Sequence, residues 1–151
     1  MTSRQADKRS FGTRLWLPVV TASMFFALPR DAAAQSGSTP CTDSITTKSG
    51  IYTAEQAARG KDVYAGSCKS CHTAESHTGA IFEAIWNKKS LADLYGFIRD
   101  RMPKNEPGSL SAQEYADVVA YLMKMNRMPS GRHELPADST ALKDIRIAIP
   151  E

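Results

Sequence analysis

The chain has 151 residues, 42% of them hydrophobic and 23% charged, with 3 Cys, 9 Gly and 8 Pro. That composition excludes a wholly disordered chain, a collagen-like fibre, a polytopic membrane protein and a disulfide scaffold. The formal net charge is +3, but the excess sits in the first 34 residues, where Arg4, Lys8, Arg9, Arg14 and Arg30 face only Asp7 and Asp31. The remainder balances, so no nucleic-acid partner is expected.

Residues 1–34 read as a secretory signal peptide. A basic region ends at Arg14, an apolar run follows over residues 15–28, and Ala32-Ala33-Ala34 offers a small-residue cleavage site before Gln35. The run is shorter than the roughly 20 residues that span a bilayer as a helix, and Pro18 interrupts it, so no stable membrane anchor is expected. Residues 35–52, rich in Ser, Thr and Gly, are expected to form a flexible arm. Cys41 lies on it and has two readings, a free or capped thiol and a disulfide between two chains.

Three helical segments are expected next. The first starts at Thr53, with Gln56 as the partner of a capping box, and runs to about Ala65. The second opens with Ser90 and Asp93 and carries Leu91, Leu94, Tyr95 and Ile98 on one face. It ends near Met102, because Pro103 disfavours helical geometry in the residue before it. The third opens with Ser111 and Glu114, and its stripe is Tyr115, Val118, Val119, Leu122 and Met125. Residues 129–151 read as a tail that Leu142, Ile145, Ile147 and Ile149 can pin to the core. No strand pattern appears, so the fold class is all-α, with the functional domain at 53–128. A core of that size commonly needs a staple, and a large bound cofactor would supply one.

The chemistry centres on Cys68-Lys69-Ser70-Cys71-His72, a C-x-x-C-H sequence of the c-type haem attachment kind. Two thiols three positions apart lie on one helical turn and reach the two vinyl groups of one porphyrin. The adjacent imidazole then falls beneath the iron. Attachment consumes both thiols, as an oxidising compartment requires. Two other readings compete. Structural zinc wants four ligands, usually as two separated pairs, and only Cys68, Cys71, His72 and His77 are at hand. A dithiol redox pair expects a strand–helix–strand context, which the sequence lacks.

A His/Met pair on the iron suits electron transfer. His72 is the proximal candidate. Met102, just past the second helix and held extended by Pro103, is the assigned distal one. Met128, His77, His133 and an open position are the alternatives. Met125 is expected to serve the core and Met123 to lie at the edge of the helix stripe. Phe82 and Trp86, four apart and just after the motif, are candidate walls of the haem pocket. Tyr95 and Phe97 read as mixed packing and surface, and His77 either as a solvated loop residue, the favoured reading, or as lining the haem edge. Lys69, Lys88, Lys89, Arg99, Arg101 and Lys104 either ring the haem edge or scatter over the surface.

The chain resembles a class I, monohaem bacterial periplasmic cytochrome c over residues 51–131. Gly60, Tyr64 and Cys68 reproduce that family's spacing of helix glycine, helix aromatic and first attachment cysteine, and Val118 and Tyr121 sit where its last helix crosses the first. The run Met102-Pro103 and then Pro107-Gly108-Ser109-Leu110-Ser111, with the helix from Glu114 to Leu122, is similar to small cytochromes that accompany periplasmic dehydrogenases. The resemblance implies one covalent haem c cycling between ferric and ferrous states, and a periplasmic location. It implies a dehydrogenase as donor and an oxidase or another cytochrome as acceptor, with no catalysis by the chain itself. Two departures stand out: no proline occurs between His72 and Lys89, and the stretch from His72 to Met102 is short. A haem enzyme or gas sensor with an open iron, and a fixed subunit of a dehydrogenase complex, are the competing functions.

Overall fold

The computed structural model describes residues 45–151. The segment read as a signal peptide, its expected cleavage site, Cys41 and the first part of the expected arm lie outside the described residues. Among those described, the chain is all-α, with no named strand. Five helices follow in order: α1 (Ala54–Ser67), α2 (Gly79–Trp86), α3 (Leu91–Arg101), α4 (Ala112–Met125) and α5 (Ser139–Leu142), with 3-10 turns at Thr47–Ser49 and Ala74–His77. No helix of the described part is long and apolar enough to cross a membrane.

The caps expected from the sequence form at α3 and α4. The side chains of Ser90 and Ser111 each accept the backbone N–H three residues on, and Asp93 and Glu114 accept the return bonds. At α1 only half of the box exists. Thr53 accepts from the Gln56 N–H at 3.1 Å, but the Gln56 carboxamide turns inward. It donates to the Leu135 carbonyl at 3.0 Å and accepts from the Leu135 N–H at 2.7 Å. A wholly buried carboxamide must satisfy both of its ends, and the tail backbone offers both at once.

α1 and α4 cross at Gly60. A Cβ built there would lie 1.8 Å from the Asp117 carbonyl oxygen and 3.0 Å from Tyr121 Cβ, so only glycine permits this approach. Arg59 flanks the crossing and grips the buried Asp117 with two bonds, at 3.0 and 3.1 Å. It reaches Glu134 at 2.9 Å.

The end of the arm and the tail are packed parts of the core. Tyr52 is buried and donates to the Met128 carbonyl at 2.6 Å. Leu135, Leu142, Ile145 and Ile147 are buried, as is Thr47. Residues 145–148 run between two backbone segments. Thr47 and Arg146 bond on one side, Thr47 N–H to Arg146 O at 3.0 Å and Arg146 N–H to Ile45 O at 2.8 Å. On the other side Lys88 N–H reaches Ile147 O at 2.8 Å and Leu91 N–H reaches Ile145 O at 2.8 Å. The tail thus straps the α2–α3 turn, where Lys88 has a φ of 68°. Its isoleucines supply the apolar contact that a core this small lacks.

Candidate functional site

The C-x-x-C-H sequence begins where α1 ends. Cys68 is the C-cap, and its N–H donates to Tyr64 O. The chain then stays coiled for one more turn: Cys71 N–H bonds to Cys68 O at 3.1 Å and His72 N–H to the same oxygen at 3.0 Å. This turn puts both thiols and the imidazole along the wall of a cavity of about 1010 Å³. That volume is at the upper end of the roughly 300–1,000 Å³ usual for cofactor sites. Cys68, Cys71, His72, Phe82, Trp86 and Met102 all line it. All six residues singled out by the sequence meet on one cavity.

Met102 reaches the same cavity from a separate segment, the end of α3. α3 stops at Arg101, and Met102 is extended, with φ −134° and ψ 149°. Its N–H still bonds to Ile98 O at 2.8 Å. The other methionine alternatives go elsewhere. Met128 is buried and does not line the cavity, and neither do Met123 and Met125. Met123 rather than Met125 is the fully buried one, and Met125 packs partly buried against the core. His133 is exposed and away from the cavity.

His77 departs from the reading as a solvated loop residue. It is half-buried, lines the cavity, and packs its ring 4.6 Å from that of His72 and 5.9 Å from that of Tyr64. Burial, reinforced by the nearby His72 charge, holds its pKa below the usual histidine value. The loop carrying it is shaped by Asn126, which donates to the His77 carbonyl at 2.9 Å and accepts from the Gly79 N–H at 3.2 Å. The sequence offered no signal for Asn126 beyond its place at the end of the helix stripe.

The remaining wall is apolar. Phe82 is buried, and Trp86 packs edge-on against Phe97 at 5.5 Å. Lys89 places its ammonium 5.0 Å over the Trp86 ring. Tyr95 is buried and Phe97 is 47% exposed, so the pair divides between core and surface. Of the basic residues, Lys89 and Lys104 lie at the cavity. Arg99 is tied to Asp100 at 2.8 Å and does not line it.

The chemistry of the donor set fits a covalently held porphyrin. The cavity is largely apolar, with two thiols on one turn, an imidazole beside them and a thioether on a separate loop. Burial raises the Cys68 thiol pKa, the reverse of the activation that a dithiol redox centre needs. Among the described residues no group of three or more His, Cys, Asp or Glu side chains converges on a metal position, whereas structural zinc takes four.

Residues 55–122 match the family model described as "Cytochrome C oxidase, cbb3-type, subunit III". This supports a c-type cytochrome domain. The match supports a haem-based electron-transfer role and implies covalently bound haem c. The matched stretch begins in the first turn of α1 and ends in α4, so it spans the Gly60 crossing, the attachment turn and Met102. No curated protein and no solved structure matches the chain.

Proposed function

We propose that this chain is an exported, periplasmic electron carrier with a single haem c. Cys68 and Cys71 form the thioethers, His72 is the proximal ligand and Met102 the distal one. The carrying observation is the coiled turn of the C-x-x-C-H sequence opening onto the same cavity as Met102. When bound, the haem supplies a one-electron couple between ferric and ferrous iron. His72 and Met102 would supply the imidazole and the thioether that hold it. Phe82 and the apolar walls exclude water, and burial of this kind helps set the potential. Trp86, Phe97 and Ile85 form the rim of the cavity, where an electron would leave or enter. A dehydrogenase is the proposed donor, and an oxidase or another cytochrome the acceptor.

The first test is a pyridine haemochrome spectrum of protein matured in a host that attaches haem c. A covalent c-type spectrum with one haem per chain is expected. A colourless protein refutes the proposal. Met102→Ala is expected to abolish the weak near-infrared Met–iron band and to let carbon monoxide bind the ferrous protein quickly. Fast binding to the unmodified protein would instead favour an enzyme or gas sensor with an open iron. A fixed cytochrome subunit of a larger redox complex is a second reading, favoured by the description of the matching family. Migration of the native protein as a free monomer on size exclusion would refute it.

A further inference from the structure

The loop between α3 and α4 carries Met102 at its start and Leu110 near its end, and it has little to hold it. Residues 104–109 are exposed. The loop's own bonds are Glu106 N–H to Pro103 O at 2.9 Å and Ser109 N–H to Glu106 O at 3.3 Å. Both ends of the loop meet one buried phenol. The Tyr115 hydroxyl donates to the Met102 carbonyl at 2.9 Å and accepts from the Leu110 N–H at 3.5 Å.

We propose that Tyr115 is the positioning residue for Met102: its hydroxyl closes the 102–110 loop and keeps the thioether aimed into the cavity. The inference rests on the reading of Met102 as the distal ligand. Tyr115 is suited to the task because it is packed into a capped helix. It sits in the first turn of α4, behind the Ser111–Glu114 box, and is 1% exposed. Its ring lies edge-on to Tyr95 at 6.5 Å. A ligand on a loop gains precision when a residue on a rigid helix fixes its backbone. Removing the hydroxyl leaves the Met102 carbonyl and the Leu110 N–H without this shared partner. The loop then opens more often, and the sulfur is displaced more often.

Tyr115→Phe in the full-length, haem-loaded protein is the test. Loss of one net hydrogen bond is expected to raise the sulfur-off population about fivefold. Carbon monoxide binding to the ferrous protein should quicken by a similar factor of about five, and the near-infrared band should fade at lower temperature. Tyr95→Phe is the control, since that hydroxyl bonds to Ala112 O at 3.3 Å and touches neither end of the loop. Its band and binding rate should match the unmodified protein. Unchanged behaviour in Tyr115→Phe overturns the inference, and so does an equal change in both variants. Met102→Ala separates the two levels. A band that survives it removes the distal-ligand reading itself, whereas a band lost there but intact in Tyr115→Phe removes only the positioning role. If Tyr115→Phe fails to accumulate, amide exchange in the unmodified holoprotein decides. A Leu110 amide protected like those of α4 supports the role, and exchange at the rate of the open loop refutes it.

Discussion

The two sides of this small core are built differently. On one side α1 and α4 cross at backbone contact, and the start of the tail is tied to α1 through Gln56 and Leu135. On the other side α2, α3 and the loop after His72 surround a cavity of about 1010 Å³ and leave Ile81, Ile85 and Phe97 53%, 47% and 47% exposed. The first side is complete as polypeptide. The second is a largely apolar wall, and a haem bound against it would share in its energetics. The lesson is a division of labour: the crossing and strap hold the frame, and the cofactor finishes the core.

The largest expected effect comes from preventing attachment. In Cys68→Ser/Cys71→Ser protein, amide protection in α2 should fall by at least about tenfold relative to the holoprotein, while α1 and α4 keep most of theirs. Equal loss on both sides would show that the frame has no independent stability and would erase the contrast. The converse break is Gly60→Ala. The new methyl meets a backbone carbonyl rather than a flexible side chain, so the helices must part. The cost should reach the upper end of the roughly 1–3 kcal/mol usual for overpacking, despite the gain of about 1 kcal/mol in helix propensity. Denaturant unfolding of the holoprotein reads it. A neutral result would mean that the crossing is not the rigid element.

Gln56→Ala should cost slightly less, about 2 kcal/mol, because it leaves the Leu135 N–H and carbonyl buried without partners. It should also loosen the tail more than the cavity, since the tail is what Gln56 holds. Limited proteolysis would then cut within residues 130–138 first. Cleavage near Met102 instead would place the weak point on the cavity side.

Much of this frame was legible in the sequence, and the reasons are physical. α1, α3 and α4 announce themselves through caps and apolar spacing, and Gly60 through the cost of a glycine in a helix interior. Cys68, Cys71 and His72 are a fixed spacing on one turn, and Met102 is set by Pro103. All of these are local signals. α2 escaped because GAIFEAIW is only 8 residues long and has no side-chain cap, too short a window for helical spacing to be told from a short apolar strand. The packing of the tail, the inward turn of Gln56 and the position of His77 are long-range. They depend on which backbone groups a buried side chain happens to meet, and no spacing in the chain encodes that.

The smallest expected effect comes from the cap of α4. Glu114 carries a pKa held below the usual carboxylate value, chiefly by the Ser111 backbone N–H and also by its hydroxyl. A carboxyl depressed in the folded state contributes stability above its unfolded pKa, near 4.3, and loses it as pH falls through the lower folded value. The α4 cap should therefore weaken only in acid, and Asp93, depressed by Ser90, should do the same for α3. Glu114→Gln keeps a group able to accept the bond from the Ser111 N–H but removes the titration. Its Tm should lie slightly below that of the unmodified protein near neutral pH, and the difference should shrink as the pH is lowered past about 4. A difference that stays constant with pH would mean that the carboxylate's charge contributes nothing beyond the hydrogen bond's shape. Because α4 presents Asp117 to the crossing and Tyr115 to the Met102 loop, the same acid titration should be felt on both sides of the core.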